Sequence, residues 1–186
     1  MVYRLIETLK VSDSKTIGNI ISTLTGKWKV GLSSQVQAQK YLNILAASGK
    51  IIRGKGWYAV KGYQGKFKEH DRKLTQIIAR LITLKLPISV HREVSFPVGL
   101  RSDMVCLIGK SSKAICAVIE VANHETPEYL NQKITAWKNW NEATRHLSDL
   151  LDTTIPYFSI VTEGMSHPLA VDFEHFMKEV SDGLSV

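Results

Sequence analysis

The sequence predicts an α/β protein in two modules: three helices closed by a β-hairpin, then a mixed sheet flanked by helices. Helical apolar spacing dominates the first third of the chain, and strand-like apolar runs dominate the rest. Charge is divided unequally as well. Residues 1–66 hold 11 Lys/Arg against 2 Asp/Glu, a balance of +9, whereas the remainder holds 13 against 15, a balance of −2. A basic module beside a near-neutral one points to a polyanion partner for the first and a separate task for the second. With 186 residues, 44% of them apolar, the chain has enough for ordinary globular cores.

The first module is expected over residues 1–62. Leu5, Ile6 and Leu9 mark a short helix over residues 3–10. Asp13 and Ser14 suit the cap of a second helix carrying Ile17, Ile20, Ile21 and Leu24 on one face, ended by Gly26. Ser33 or Ser34 caps a third, Gln35 to Ser48, with Ala38, Tyr41, Leu42 and Leu45 inward and Gln35, Gln37 and Lys40 outward. Lys50 to Arg53, a Gly54-Lys55-Gly56 turn and Trp57 to Val60 then read as a hairpin with a basic tip, Trp57 lying in the core at its base.

Residues 63–66 are expected to be a linker, and residues 67–186 the second module. A helix over Lys68 to Leu84 buries Leu74, Ile77, Ile78, Leu81 and Ile82, and Pro87 breaks it. Ile88 to Val94 alternates as a strand, while Asp103 to Ile108 and Ile115 to Val121 are continuous apolar runs suited to strands covered on both faces. Thr126-Pro127-Glu128 starts a helix reaching about Leu147; Tyr157 to Val161 is a strand and Pro168 to Val180 a last helix. The order is α-β-β-β-α-β-α.

Within that order one juxtaposition carries chemistry. With residues 109–114 as the loop, Ile108 faces Ile115 and Asp103 falls directly opposite Glu120 on one face of the sheet. Like charges so placed repel, and a shared divalent cation turns the repulsion into coordination. Cys106 and Cys116, the only cysteines, lack CxxC spacing and read as reduced core thiols. No stretch approaches the ~20 apolar residues of a membrane span, so a cytoplasmic, nucleoid-associated protein without a membrane partner is expected.

Three helices followed by a hairpin resemble the winged helix-turn-helix fold, with LSSQVQAQKYLNILAASGKIIRGKGWYAV similar to the recognition helix and wing of many bacterial and archaeal regulators. The resemblance implies double-stranded DNA as partner. Lys27, Lys29, Ser34, Gln35, Gln37 and Lys40 would meet the duplex around the recognition helix, and Arg53 and Lys55 would meet phosphates from the wing.

The later succession, with Arg101-Ser102-Asp103 on one strand and Glu120-Val121-Ala122 on the next, resembles the PD-(D/E)XK nuclease superfamily. That likeness implies Mg²⁺ or Mn²⁺ held by Asp103 and Glu120. Ser102 stands where the family has Pro, and Ala122 where it has a catalytic lysine. Some members supply that lysine from the following helix, which here offers Lys133, one turn before Trp137. The combination with Glu69-His70-Asp71 and Asn123-His124-Glu125-Thr126 resembles the plasmid replication-relaxation family, although Ala122 also replaces that family's usual third acid. His70, Asp71 and Glu93 are accessory candidates, and His124 and Glu125 would line the rim. Two functions follow as expectations: a metal-dependent DNA endonuclease of a plasmid, virus or other mobile element, or a DNA-binding factor whose inactive nuclease-like domain serves dimerisation, as a homodimer, or partner docking.

Overall fold

A computed structural model describes residues 1–64, 68–109, 114–122 and 126–183. The protein is mixed α/β and divides into two compact units, Met1–Lys85 and Leu86–Val186. The division falls after the helix at Glu69–Thr83, whereas the sequence placed that helix beyond a linker at 63–66.

The first unit contains α1 (Val2–Leu9), β1 (Val11–Ser12), α2 (Ser14–Thr25), α3 (Leu32–Ala47), β2 (Ile51–Gly54), β3 (Trp57–Val60) and α4 (Glu69–Thr83). Asp13 caps α2 as expected, its carboxylate accepting the Thr16 N–H at 2.7 Å, and Gly26 ends the helix at φ 64°. Gly18 is where α2 and α3 touch backbone to backbone: a Cβ there would lie 2.5 Å from the Ser34 carbonyl oxygen. The hairpin of β2 and β3 pairs Arg53 with Tyr58 and Gly54 with Trp57, leaving Lys55 and Gly56 as its tip. β1 adds to β3, giving a three-stranded antiparallel sheet in the order β1-β3-β2. Trp57 is half-buried; its ring covers Gly54 and meets Tyr63 edge-on at 5.9 Å.

The expected stripe on α4 is buried at Leu74, Ile77, Ile78 and Leu81, and the cover is the first unit's own α2, α1 and β1. The buried Thr75 hydroxyl donates to the Val11 carbonyl at 2.9 Å, fixing the helix to β1. An apolar stripe establishes that a helix is buried, not against which neighbour.

The second unit runs β4 (Ile88–Ser95), β5 (Arg101–Ile108), β6 (Ile115–Val121), α5 (Pro127–Asn139), α6 (Ala143–Leu151), β7 (Ser159–Glu163), β8 (Val171–Asp172) and α7 (Phe173–Gly183). Its five strands lie in that order; β4, β5 and β6 are antiparallel, and β7 and β8 continue parallel to β6. The single helix expected from Thr126 to Leu147 is interrupted at Trp140, whose backbone is extended at ψ 97°. No Gly or Pro announces the break. Trp140 instead packs at 5.5 Å from Phe96 and 5.7 Å from Trp137, and stacks on His146 at 4.9 Å. These rings join Val105, Val118, Leu130, Ile134 and Leu147 in one core, where each large buried side chain contributes about 1.5–3 kcal/mol. The short strand β8 had no counterpart in the sequence reading.

Cys106 and Cys116 are buried free thiols, and burial drives both pKa values upward, that of Cys116 to about 12. Neither is a thiolate at neutral pH, in keeping with core packing. No helix among the described residues is long and apolar enough to cross a membrane.

Candidate functional site

The expected register of β5 and β6 is the one observed. Ile108 pairs with Ile115, and the ladder continues in step to Met104 and Ile119, which brings Asp103 and Glu120 together at its end. The two acids interlock through the backbone. The Val121 N–H donates to Asp103 Oδ2 at 2.8 Å, and the Asp103 N–H donates to Glu120 Oε2 at 3.3 Å. Ser102, buried where the resembled family has Pro, donates its hydroxyl to the Met104 carbonyl at 2.8 Å.

Helix α5 supplies the third member. Thr126 caps it by accepting the Tyr129 N–H at 3.3 Å, and Pro127 begins it, as the sequence indicated. Lys133 then points its Nζ to within 2.6 Å of Glu120 Oε2 and 3.9 Å of Asp103 Oδ1. One turn on, the Trp137 indole N–H donates to Glu120 Oε1 at 3.0 Å. The side chain of Glu120 is 0% exposed, that of Lys133 9% and that of Asp103 15%. Asp103, Glu120 and Lys133, singled out from sequence alone, therefore form one cluster.

Burial penalises charge on Glu120 and pushes its pKa up to about 7; the Lys133 ammonium opposes the shift and the Asp103 carboxylate adds to it. Desolvation outweighs the ammonium, so the net shift is upward.

Whether the cluster suits a divalent cation can be tested on its oxygens. Both Glu120 oxygens are engaged by protein donors and sealed from solvent, and Asp103 Oδ2 is engaged by Val121. Octahedral Mg²⁺ needs near-ideal geometry and keeps several waters, so an ion shared by these acids would have to displace the Lys133 ammonium from Glu120. Among the described residues no three His, Cys, Asp or Glu side chains gather as a metal site. In this arrangement the Lys133 ammonium supplies the positive charge between the acids.

The accessory candidates are divided between the two units. Asp71 belongs to the first unit, where its carboxylate accepts the Lys68 N–H at 3.3 Å and the Tyr63 hydroxyl at 3.0 Å, closing the start of α4 with His70 beside it. Glu93 adopts φ 53° within β4 and pairs with Arg101 at 3.2 Å rather than with the acid cluster. His124 and Glu125 lie outside the described residues.

In the first unit, Lys27, Lys29, Lys40, Arg53 and Lys55 are exposed, and Gln35 and Gln37 are half-exposed. Ser34 is a correction: it is 0% exposed, held by the contact with Gly18, and its hydroxyl donates to the Gly31 carbonyl at 2.8 Å, so it faces no partner. Tyr41, expected inside, is 51% exposed.

Sequence reasoning missed Thr162. It pairs with Glu120 across β6 and β7, which puts both side chains on one face of the sheet, and its hydroxyl is buried with no hydrogen-bond partner among the described residues. The expected strand stopped at Val161, one residue short of it. No protein-family model matches the chain, no curated protein matches it, and no solved structure matches it.

Proposed function

We propose that this chain is a DNA-binding protein whose second unit keeps a nuclease-like Asp–Glu–Lys cluster in a closed, non-hydrolytic form. The first unit, of winged-helix type, meets duplex phosphates with Lys27, Lys29, Lys40, Arg53 and Lys55, all exposed. The second unit, of PD-(D/E)XK type, serves dimerisation or partner docking. The resemblance to the replication-relaxation family supports a role in replication or maintenance of a plasmid, virus or other mobile element. One observation carries the non-hydrolytic reading: Glu120 is sealed from solvent with both oxygens taken by Lys133 and Trp137.

A second reading, metal-dependent endonuclease, is favoured by the convergence of the two signature acids, Asp103 and Glu120, with Lys133 from the following helix. It requires Lys133 to leave the carboxylates before a cation could reach them.

Incubating supercoiled plasmid with the protein in Mg²⁺, Mn²⁺ or EDTA separates the two. Salt-sensitive binding without nicking is the expected result. Metal-dependent nicking abolished by both Asp103→Ala and Glu120→Ala would establish the endonuclease and overturn the first reading.

A further inference from the structure

The first unit carries an aromatic groove outside the duplex contacts proposed above. Tyr3, Ile21, Trp28, Tyr41, Ile44 and Leu45 line a hollow of about 370 Å³ beside α3. The rings of Trp28 and Tyr41 lie within 16° of parallel with centroids 6.2 Å apart, and Tyr41 is 51% and Ile44 63% exposed. Lys27 and Lys29 flank Trp28 in sequence, Lys40 precedes Tyr41, and all three are exposed. Tyr3, also on the lining, has for its neighbour Glu7, one of only two acids in residues 1–66.

We infer that this groove takes an unpaired nucleotide base by stacking while Lys27, Lys29 and Lys40 hold the neighbouring phosphates, so that the first unit also binds single-stranded or melted DNA. The inference rests on the DNA-binding reading above and specifies its substrate. Aromatic faces among cations match a single strand, whose bases present π-faces and whose backbone is anionic. In a duplex those faces are already stacked, and exposed rings gain nothing from phosphates. A second copy of the chain fits less well, because an isologous contact would set each lysine rim against its like.

The test compares an oligothymidylate strand with an abasic strand of equal length, which keeps the phosphates and lacks the bases, in an anisotropy titration at one salt concentration. The intact chain is expected to bind oligothymidylate about tenfold tighter or more, stacking being worth ~1–3 kcal/mol per base. Tyr41→Ala, at a half-exposed position, collapses that ratio towards unity, and Tyr41→Phe preserves it. Using the ratio keeps any general loss of folded protein out of the answer. Equal binding of both strands by the intact chain overturns the inference, as does a ratio untouched by Tyr41→Ala. Displacement of oligothymidylate by no base-bearing strand but by an acidic amphipathic peptide would also overturn it, making the groove a protein-docking site. Duplex binding with equal strand affinities defeats this inference alone; failure to bind any DNA defeats the DNA-binding reading itself.

Discussion

Lysine does opposite work in the two units. Residues 1–85 contain 16 Lys/Arg against 4 Asp/Glu, a balance of +12, and residues 86–186 contain 8 against 13, a balance of −5. In the basic unit Lys27, Lys29, Lys40 and Lys55 stand in water, where salt screens them and their attraction is for whatever anion arrives. In the acidic unit Lys133 is 9% exposed and committed to two carboxylates of its own chain. An exposed charge acts on partners and leaves folding nearly untouched; a buried one acts on folding and is withheld from partners. A lysine's identity therefore does not by itself say what it does, since burial decides whether its charge acts within the fold or outside it.

The contrast can be broken most forcefully at Lys133. Removing one partner of a buried ion pair costs about 3–5 kcal/mol because the other charge is stranded. Lys133→Ala should therefore lower the unfolding free energy by that amount in chemical denaturation at mildly alkaline pH. Lys27→Ala and Lys29→Ala should each stay within about 0.5 kcal/mol of the parent. Equal, small effects at all three sites would erase the distinction.

Acidity tests the same cluster more gently. The folded pKa of Glu120, about 7, lies above the 4.5 of an unperturbed glutamate. Between those values the folded protein binds more protons than the unfolded chain, so stability is full below about 4.5 and falls as pH rises towards 7, by about 3 kcal/mol in total. Glu120→Gln should remove that dependence. A parent whose stability climbs over this window would contradict the burial account.

The basic unit is sharpened by salt. Each phosphate contact removed should flatten the dependence of log affinity on log salt by about 0.9. Changing Arg53 and Lys55 to Ala together should be read as a slope change in duplex titrations, with the thermal melt unmoved. The smallest effect is expected at Thr162. Its buried hydroxyl, without a partner among the described residues, is a standing cost, so Thr162→Val should leave stability unchanged or raise it by about 1 kcal/mol.

Much of the candidate site was legible because the β5–β6 register is a matter of parity: one loop length places Asp103 opposite Glu120, and a slip of one residue would have parted them. Helix α5 was equally readable from Thr126 and Pro127, and with it the one-turn spacing of Lys133 and Trp137. What the residues did not disclose depends on distant neighbours. Ser34 is buried because Gly18, on another helix, admits its backbone; α4 serves the first unit because Thr75 finds Val11; and Trp140 halts a helix to reach Phe96. The source of the positive charge beside the acids was hidden for a related reason. Opposed acids announce a need for positive charge, and whether an ion or an ammonium meets it depends on how far a lysine on the next helix can reach.

The paired core thiols have a practical consequence. Both sit in the second unit, on adjoining strands, and neither ionises while the sheet stays shut. An alkylating reagent consequently modifies only molecules caught with that sheet opened, and the first unit, having no cysteine, stays silent. The rate of labelling is thus a clock that counts excursions of one half of the chain and ignores those of the other.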